Sequence, residues 1–210
     1  MKRIVFFSEE TLFSGNIKCG IAEVVDSLAL SLVNDYEVFV VCQEGATTPS
    51  RHIANFEAVD GEVCRARALN INYYVVKSDA WSTRSVEIVD TLQPDILHNF
   101  CEPSLVSRLT RRPAVTVFTF DDLAFLEDKL SWLDDYDFIT TFSNGYREHI
   151  LSQNGPVVDK LKTMNFANVS CGIASEVFNP ATGLFLKIPY STEKIGEKLV
   201  SKKQLLDRVG

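Results

Sequence analysis

The first polar loop of the chain contains residue types suited to binding a phosphate. It follows an apolar run at residues 2–7 and includes Glu9, Lys18 and Gly20 before an amphipathic segment begins. A helix starting near Gly20 would direct free backbone N–H groups and its positive dipole end at the loop. Lys18 adds a cation, and Gly20 lets a ligand approach the backbone closely. The loop matches neither a P-loop nor a dinucleotide-binding fingerprint, so a simple turn remains the alternative interpretation.

A second polar cluster follows the apolar segment at residues 95–98. It contains His98, Asn99, Cys101 and Glu102. Cys101 and His98 are the residue types of a nucleophile and its base, and a buried, inert thiol is the alternative that we favour. We expect His98, Asn99 and Glu102 to face a ligand.

A third cluster is acidic and follows the apolar segment at residues 114–120. Asp121 and Asp122, together with Glu127 and Asp128, offer carboxylates of the kind that bind divalent cations. A solvated acidic loop is the interpretation that we favour. The three histidines lie far apart in sequence and show no metal-ligand spacing. We therefore expect no metal site and no cofactor.

Two tryptophans are candidates for stacking on a sugar ring. Trp132 is expected to pack within a helix instead. Trp81 is placed in a loop, where both interpretations stay open.

The elements that must position these residues alternate between strand-like and helix-like segments. We predict strands at residues 2–7, 36–42, 63–68, 72–76, 95–98, 114–120, 138–142 and 169–173, and helices at residues 20–33, 85–92, 104–109, 143–151 and 192–209. Residues 45–60 are expected to form a loop or weak helix, and residues 121–133 a loop plus a helix. This order predicts an α/β fold with a doubly wound, mostly parallel sheet. Ligands of such sheets bind beyond the carboxyl ends of the strands.

Composition narrows the possible partners. The 210 residues are 46% hydrophobic and 23% charged, with a net charge of −7, which argues against nucleic acid as a partner. No apolar run approaches the roughly 20 residues that span a bilayer, so no membrane partner is expected. The five cysteines are scattered and form no CxxC pair, which fits a reducing cytoplasm.

The chain resembles the glycogen and starch synthases in an ordered series of segments. Ser8 and Glu9 end the first strand as in the family, and Gly20 opens a stretch similar to G-L-A-D-V-V. Further similar segments are residues 94–98 (P-D-I-V-H), 117–125 (V-F-T-V-H-N-L-A-Y), 142–150 (V-S-P-T-Y-A-R-E-I), 171–173 (N-G-I), 177–182 (I-W-N-P-A-T), 190–191 (Y-S/T) and 198–210 (K-x-x-N-K-x-x-L-Q-x-x-L-G). The series keeps its order along the whole chain.

This resemblance implies the N-terminal, acceptor-side half of a GT-B glycosyltransferase. Such enzymes transfer glucose from a nucleotide sugar, ADP-glucose in bacteria, to an α-1,4-glucan in a cleft between two Rossmann-like halves. The C-terminal half, which supplies most donor contacts, has no counterpart here. Residues 1–190 would form the Rossmann-like domain, and residues 191–210 a helix at the interdomain hinge.

Several positions that face the ligands in the family differ in this chain. Cys19 replaces the first glycine of K-x-G-G, and Lys18 is shifted by one position. Cys101 and Glu102 replace the Asp and Trp of H-x-H-D-W, which face the acceptor. Asp121 replaces a histidine beside the transferred sugar, and a carboxylate there disfavours a diphosphate. The catalytic residues are therefore unknown.

Three functions remain open at this stage. The differences favour an acceptor-side domain that is inactive alone, with α-glucan or ADP-glucose as possible ligands. A transferase assembled with a separate C-terminal half is the second hypothesis. The third is a protein-interaction module, in which Phe100, Phe125 and Leu126 mark an exposed face for a protein partner or for self-association.

Overall fold

The structure is a computed structural model that describes residues 1–18, 20–45, 55–170, 179–182, 186 and 188–209. The chain divides into two compact units, Met1–Cys171 and Gly172–Gly210. The described strands lie in the first unit. The expected domain boundary at residue 190 stays a prediction.

A single sheet forms the centre of the first unit. Its described strands are β1 (Arg3–Ser8), β2 (Glu37–Gln43), β3 (Asn55–Ala58), β4 (Val63–Ala68), β5 (Ile71–Val76), β6 (Ile96–Asn99), β7 (Val115–Thr119), β8 (Phe138–Thr141) and β9 (Phe166–Asn168). They lie in the order β3-β4-β5-β2-β1-β6-β7-β8-β9. Only the β3–β4 and β4–β5 pairs are antiparallel among them. The predicted mostly parallel sheet is confirmed.

Helices connect most of the parallel strands. They are α1 (Ile21–Ser31), α2 (Trp81–Leu92), α3 (Leu105–Arg108), α4 (Asn144–Ser152), α5 (Pro156–Lys162) and α6 (Glu197–Val209), with 3₁₀ turns at Leu123–Leu126 and Leu130–Asp135. Within the described ranges, no helix has the length and apolar character needed to cross a bilayer.

The sheet is covered on both faces, which makes the fold doubly wound. On one face Val25 and Ala29 of α1 pack in a cluster with Phe6, Val38 and Val40. The other face carries a larger cluster of side chains from β1, β6, β7 and β8 together with α2, α3, α4 and α5: Phe7, Val89, Leu97, Leu105, Phe118, Ile139, Ile150 and Leu161. Each fully buried side chain of this size stabilises the fold by about 1.5–3 kcal/mol.

Strand β1 lies at the centre of the sheet, and the chain changes direction beside it. Phe6 pairs with Val40 of β2 on one side and with His98 of β6 on the other. From β1 the chain continues through α1 to β2, and it later returns through α2 to β6 on the opposite side of β1. The carboxyl ends of β1 and β6 therefore flank a topological switch point, where ligands of such sheets bind.

Two differences from the predicted elements come from tertiary contacts. Residues 55–58 form β3 and not a loop or weak helix, because they pair with β4 at the sheet edge. Residues 46–54 lie outside the described residues. Helix α2 begins at Trp81, four positions before the predicted start at residue 85, because Trp81 packs into the core.

The segment after β8 also differs from the prediction. Helix α5 was not predicted, although Pro156 at its first position is a typical start signal. The last strand in the described residues is Phe166–Asn168; residues 169 and 170 are not strand, and residues 171–173 lie outside the described residues. Residues 123–135 contain two 3₁₀ turns where a helix was expected.

The second unit contains the amphipathic helix α6, which starts at Glu197, later than the predicted residue 192. Before it, Tyr190 donates its backbone N–H to the carbonyl of Pro180 at 2.9 Å. Lys198 lies over the Tyr190 ring, and the Ser201 hydroxyl donates to the carbonyl of Ile188. These contacts anchor the first turns of α6 to the segment that precedes it.

Candidate functional site at the carboxyl edge of the sheet

The β1–α1 loop, residues 9–18, folds into a compact hairpin beside the switch point. Thr11 and Asn16 form an antiparallel bridge, in which the Thr11 N–H donates to the Asn16 carbonyl at 3.1 Å. The Asn16 amide donates to the Glu9 carbonyl at 2.8 Å and to Gln43 Oε1 at 3.2 Å. Thr11 Oγ1 accepts the Ser14 N–H at 2.9 Å. Because these polar groups are paired inside the loop, it has one preferred shape.

Two glycines bring the loop against the end of β2. Gly15 has a φ of 73°, a left-handed conformation that favours glycine. The Gly45 N–H donates to the Ser14 carbonyl at 3.2 Å. A Cβ added at Gly45 would lie 2.2 Å from the Gly15 carbonyl carbon, so only glycine fits at position 45.

The predicted residues of this loop meet in one ion pair. Lys18 Nζ lies 3.0 Å from Glu9 Oε2, and the two side chains are 58% and 38% exposed. The Lys18 backbone N–H donates to Glu10 Oε2 at 2.8 Å. The hydrogen bond and charge of Glu9 raise the pKa of Lys18 above its usual value. Lys18 is thus paired with a carboxylate of its own loop.

Gly20 precedes the first turn of α1 and leaves open space in front of it. Its φ is −70°, and an added Cβ would meet nothing within 4 Å. The role of Gly20 in ligand binding stays a prediction. The glycine itself is not required by backbone conformation.

His98 points from the end of β6 into an aromatic and polar environment. Its ring stacks on Phe100 with centroids 4.3 Å apart, and its Nε2 lies 2.7 Å from Thr119 Oγ1. Thr119 Oγ1 in turn lies 2.5 Å from Thr140 Oγ1, which continues the contact to β8. Burial lowers the pKa of His98 to about 3, so the imidazole is neutral at physiological pH.

Asn99 is fully buried and shapes the turn after β6. Its Nδ2 donates to the Glu102 carbonyl at 2.5 Å and to the Tyr136 hydroxyl at 2.6 Å. Its Oδ1 accepts the N–H groups of Cys101 and Glu102 at 3.0 and 3.2 Å. Glu102 Oε1 accepts from the Ser104 hydroxyl at 2.7 Å, at the start of α3. Asn99 acts by holding the turn that presents Glu102.

Cys101 packs under the β1 carboxyl end. Its Sγ lies 4.0 Å from the Phe7 carbonyl, and burial raises the pKa of the thiol, an effect that the Glu9 carboxylate adds to. Nucleophilic cysteines have lowered pKa values and a base beside them. The neutral His98 ring instead pairs with Thr119. This geometry fits the inert thiol that the sequence favoured.

The acidic residues after β7 are largely solvated. Asp121 is exposed, and Asp122 caps the first 3₁₀ turn by accepting the Ala124 N–H at 3.0 Å. Asp128 is paired with Lys129 at 2.6 Å. In the ranges that the structure describes, no group of three or more His, Cys, Asp or Glu side chains is arranged to hold a metal ion.

The predicted apolar contact face is wrong for two of its three residues. Phe100 is 5% exposed and Leu126 is fully buried, because both belong to the clusters that cover the sheet. Phe125 remains 36% exposed, with Lys129 Nζ 4.5 Å from its ring centroid. The interaction-module hypothesis therefore loses most of the surface on which it rested.

The positions of the two tryptophans decide whether either ring could stack on a sugar. Trp81 is the first residue of α2 and not a loop residue; its ring lies 4.9 Å from that of Phe7 in the core, which leaves no face for a sugar. Trp132 lies half-buried in the second 3₁₀ turn, and its expected packing role stays a prediction.

Sequence reasoning missed Asp26, which fastens the β1–α1 loop to α1. Asp26 Oδ2 accepts the N–H groups of Leu12 and Phe13 at 2.7 and 3.3 Å, and Oδ1 accepts the Tyr73 hydroxyl at 3.1 Å. Burial raises the pKa of its carboxyl group. The signal was present in the sequence, since position 26 lies four residues after Ala22 on the apolar stripe of α1, where a carboxylate needs partners.

The candidate site thus brings together Glu9, Lys18 and Gly20 from the first loop with the turn that follows β6. The charges of Glu9 and Lys18 both act on the pKa of the Cys101 thiol, and Cys101 Sγ lies 4.0 Å from the Phe7 carbonyl, so the two loops are adjacent. Among the predicted site residues Lys18 is the one cation, against the carboxylates of Glu9, Glu102, Asp121 and Asp122. The edge is acidic, and its histidine is neutral.

The comparisons with known proteins identify the fold of the chain but not its function. No protein-family description matches the chain, and no curated protein matches it. Among solved structures, it is similar to the catalytic domain of starch synthase IV from Arabidopsis thaliana bound to ADP and acarbose, with a TM-score of 0.79 and 15% identity. The match covers 100% of this chain and 59% of that chain. The expected fold is confirmed: the chain is an α/β, Rossmann-like domain similar to one half of the GT-B fold.

Proposed function

We propose that the chain is an acceptor-side domain of the glycogen and starch synthase type, which binds α-glucan and does not transfer glucose by itself. The observation that carries the proposal is the ion pair between Lys18 and Glu9 at 3.0 Å. The Lys18 ammonium group, which a donor diphosphate would need as its counter-charge, is already paired with the Glu9 carboxylate. A neutral saccharide makes no such demand, since its hydroxyl groups can donate to carboxylates.

The surrounding charges support the same conclusion. Asp121 and Asp122 are exposed at the carboxyl end of β7, and Glu10 already accepts the Lys18 N–H. A diphosphate placed among these carboxylates would be repelled, more strongly at low ionic strength. His98 is held neutral by burial and adds no positive charge.

The starch synthase neighbour adds a ligand chemistry to this argument. Its structure contains ADP and acarbose, a nucleotide and a saccharide, on a chain of which this one spans 59%. We infer that the saccharide is the ligand class retained here. The expected cytoplasmic location is part of the same proposal, because the scattered cysteines without a CxxC pair fit a reducing compartment.

A working transferase assembled with a separate donor half is the second candidate. The open space before Gly20 and the 58% exposure of Lys18 favour it. In this case a phosphate would displace Glu9 from Lys18 and sit at the N-terminus of α1.

Calorimetry with the purified chain distinguishes the two. Maltoheptaose and ADP-glucose are titrated separately into wild type and into Lys18→Ala, with Lys2→Ala as the control, because Lys2 is exposed just before β1, at the opposite end of that strand from the loop. We expect heat from maltoheptaose and none from ADP-glucose. ADP-glucose binding that is lost only in Lys18→Ala would replace the proposal with the transferase. Absence of binding to either ligand would refute both.

A further inference from the structure

Asp26 connects three elements that are distant in sequence. It lies half-buried on α1, and its two oxygens contact different parts of the molecule. One accepts the N–H groups of Leu12 and Phe13 at the tip of the β1–α1 loop, at 2.7 and 3.3 Å. The other accepts the hydroxyl of Tyr73 from β5 at 3.1 Å.

The aromatic contacts around Asp26 reinforce this connection. The Phe13 ring stacks on Tyr73 with centroids 3.8 Å apart, and on Phe56 of β3 at 5.4 Å. The loop tip is thus held by a charge-assisted pair of hydrogen bonds and by ring stacking at the same point. These contacts fix the end of the loop opposite to the one that meets the ligand site.

The remainder of the loop transmits this fixed position to the site. The Thr11–Asn16 bridge makes the loop a short hairpin, and Asn16 ties it to Glu9 through a 2.8 Å hydrogen bond. Glu9 and Lys18 lie at the open end of that hairpin, joined to each other. A movement of the tip would therefore move both charged residues together.

We propose that Asp26 is a positioning residue that holds the β1–α1 loop in its ligand-binding shape and so sets the affinity of the site without touching the ligand. This inference rests on the proposed function, because it needs the loop to contact a saccharide. The physical reason is preorganisation: a loop that is ordered before binding loses less conformational freedom when the ligand arrives.

The test compares two aspartates that each accept backbone N–H groups, one at the β1–α1 loop and one elsewhere in the fold. Asp26→Ala removes hydrogen bonds to the N–H groups of Leu12 and Phe13. Asp90→Ala is the matched control, because Asp90 of α2 accepts the Thr110 N–H at 2.9 and 3.2 Å away from the β1–α1 loop. Asp26→Asn is the rescue variant, since its amide can accept from the loop and donate to the Tyr73 oxygen.

Three measurements are made on the variants. Calorimetry with maltoheptaose is expected to show roughly ten-fold weaker binding for Asp26→Ala, and values within about three-fold of wild type for Asp90→Ala and Asp26→Asn. Hydrogen exchange of residues 9–18 without ligand is expected to be at least about ten-fold faster in Asp26→Ala alone. Urea unfolding shows whether Asp26→Ala and Asp90→Ala are destabilised to a similar extent, which a purely structural role would predict.

Each outcome decides the inference. Equal weakening of binding by Asp26→Ala and Asp90→Ala would overturn it, as would unchanged binding or unchanged loop exchange in Asp26→Ala. If wild type itself does not bind maltoheptaose, the proposed function fails and the role of Asp26 in affinity fails with it. Faster loop exchange confined to Asp26→Ala would then show separately that Asp26 is the anchor of the loop.

Discussion

Replacing Asn99 by alanine is the sharpest test of how the turn after β6 is held. The substitution removes four hydrogen bonds: from Nδ2 to the Glu102 carbonyl and the Tyr136 hydroxyl, and to Oδ1 from the N–H groups of Cys101 and Glu102. Asn99 is 0% and Tyr136 is 4% exposed, so water cannot replace the bond between them. The main-chain groups of Cys101 and Glu102 are closer to solvent and recover part of their loss.

The magnitude follows from these contacts. Each net hydrogen bond contributes about 1 kcal/mol, and a buried polar group left unpaired costs about 1–3 kcal/mol. The Tyr136 hydroxyl keeps only a long contact of 3.5 Å to the Glu102 carbonyl. Counting that hydroxyl as poorly paired and the other groups as partly hydrated, we expect a loss of about 3 kcal/mol. For a chain of this size that corresponds to a fall in Tm of roughly 6–12 °C. Under the proposed function, the affinity for maltoheptaose should fall as well, because the same turn carries Glu102.

Urea unfolding followed by far-UV circular dichroism measures the loss. Asn144→Ala is the matched control: the Asn144 amide donates to Glu148 at 2.7 Å on the surface of α4, and its removal should change stability by less than about 0.5 kcal/mol. A double-mutant cycle with Tyr136→Phe should give a coupling of about 1 kcal/mol or more. A loss below about 1 kcal/mol for Asn99→Ala, or additivity with Tyr136→Phe, would refute the account of Asn99 as the holder of this turn.

Three further substitutions test other features of the structure. Gly45→Ala should destabilise the protein by about 1–3 kcal/mol in urea unfolding, because its Cβ would overlap the Gly15 backbone; Gly61→Ala, whose Cβ meets nothing within 4 Å, is the control. Trp81→Ala should cost about 3–5 kcal/mol by the same assay and Trp81→Phe clearly less, and equal losses would contradict the packing on Phe7. His98 has a native pKa of about 3 against roughly 6.5 when unfolded, so the unfolded state binds the proton first as pH falls and stability should drop by about 1–2 kcal/mol from pH 7 to pH 5. His98→Gln should remove that part of the drop, and an unchanged pH dependence would show that the imidazole is not held neutral.

The strands of the sheet were predictable where burial on both faces requires a continuous apolar run. Residues 38–41, for example, are apolar throughout because β2 is covered on both faces, and the same holds for β1. Strand β3 was missed because Asn55–Ala58 has no such run and gains its conformation from pairing with β4. The seven-residue helix α5 was missed because it is too short to show a clear helical period.

The position of the site in the fold was predictable from the sequence, but the contacts between its side chains were not. The rule for parallel sheets put Glu9, Lys18 and His98 at the carboxyl edge, where the structure has them. The ion pair of Lys18 with Glu9 and the partnership of Asn99 with Tyr136 depend on side-chain directions and on residues 37 positions apart, which no local pattern encodes. The burial of Phe100 and Leu126 was missed because an apolar residue after a strand is compatible with either a ligand face or the core.

The central position of β1 also affects the order in which the protein can be completed during synthesis. Ile4 pairs with Val38 on one side and with Ile96 on the other. At roughly 5–20 residues per second, a ribosome needs about 5–18 s to make the chain between Ile4 and its second partner. During that interval one hydrogen-bonding edge of an apolar strand has no partner in its own chain. Nascent chains of this protein are therefore most exposed to association through β1 before β6 emerges, and chaperones that bind extended apolar segments should act in that interval.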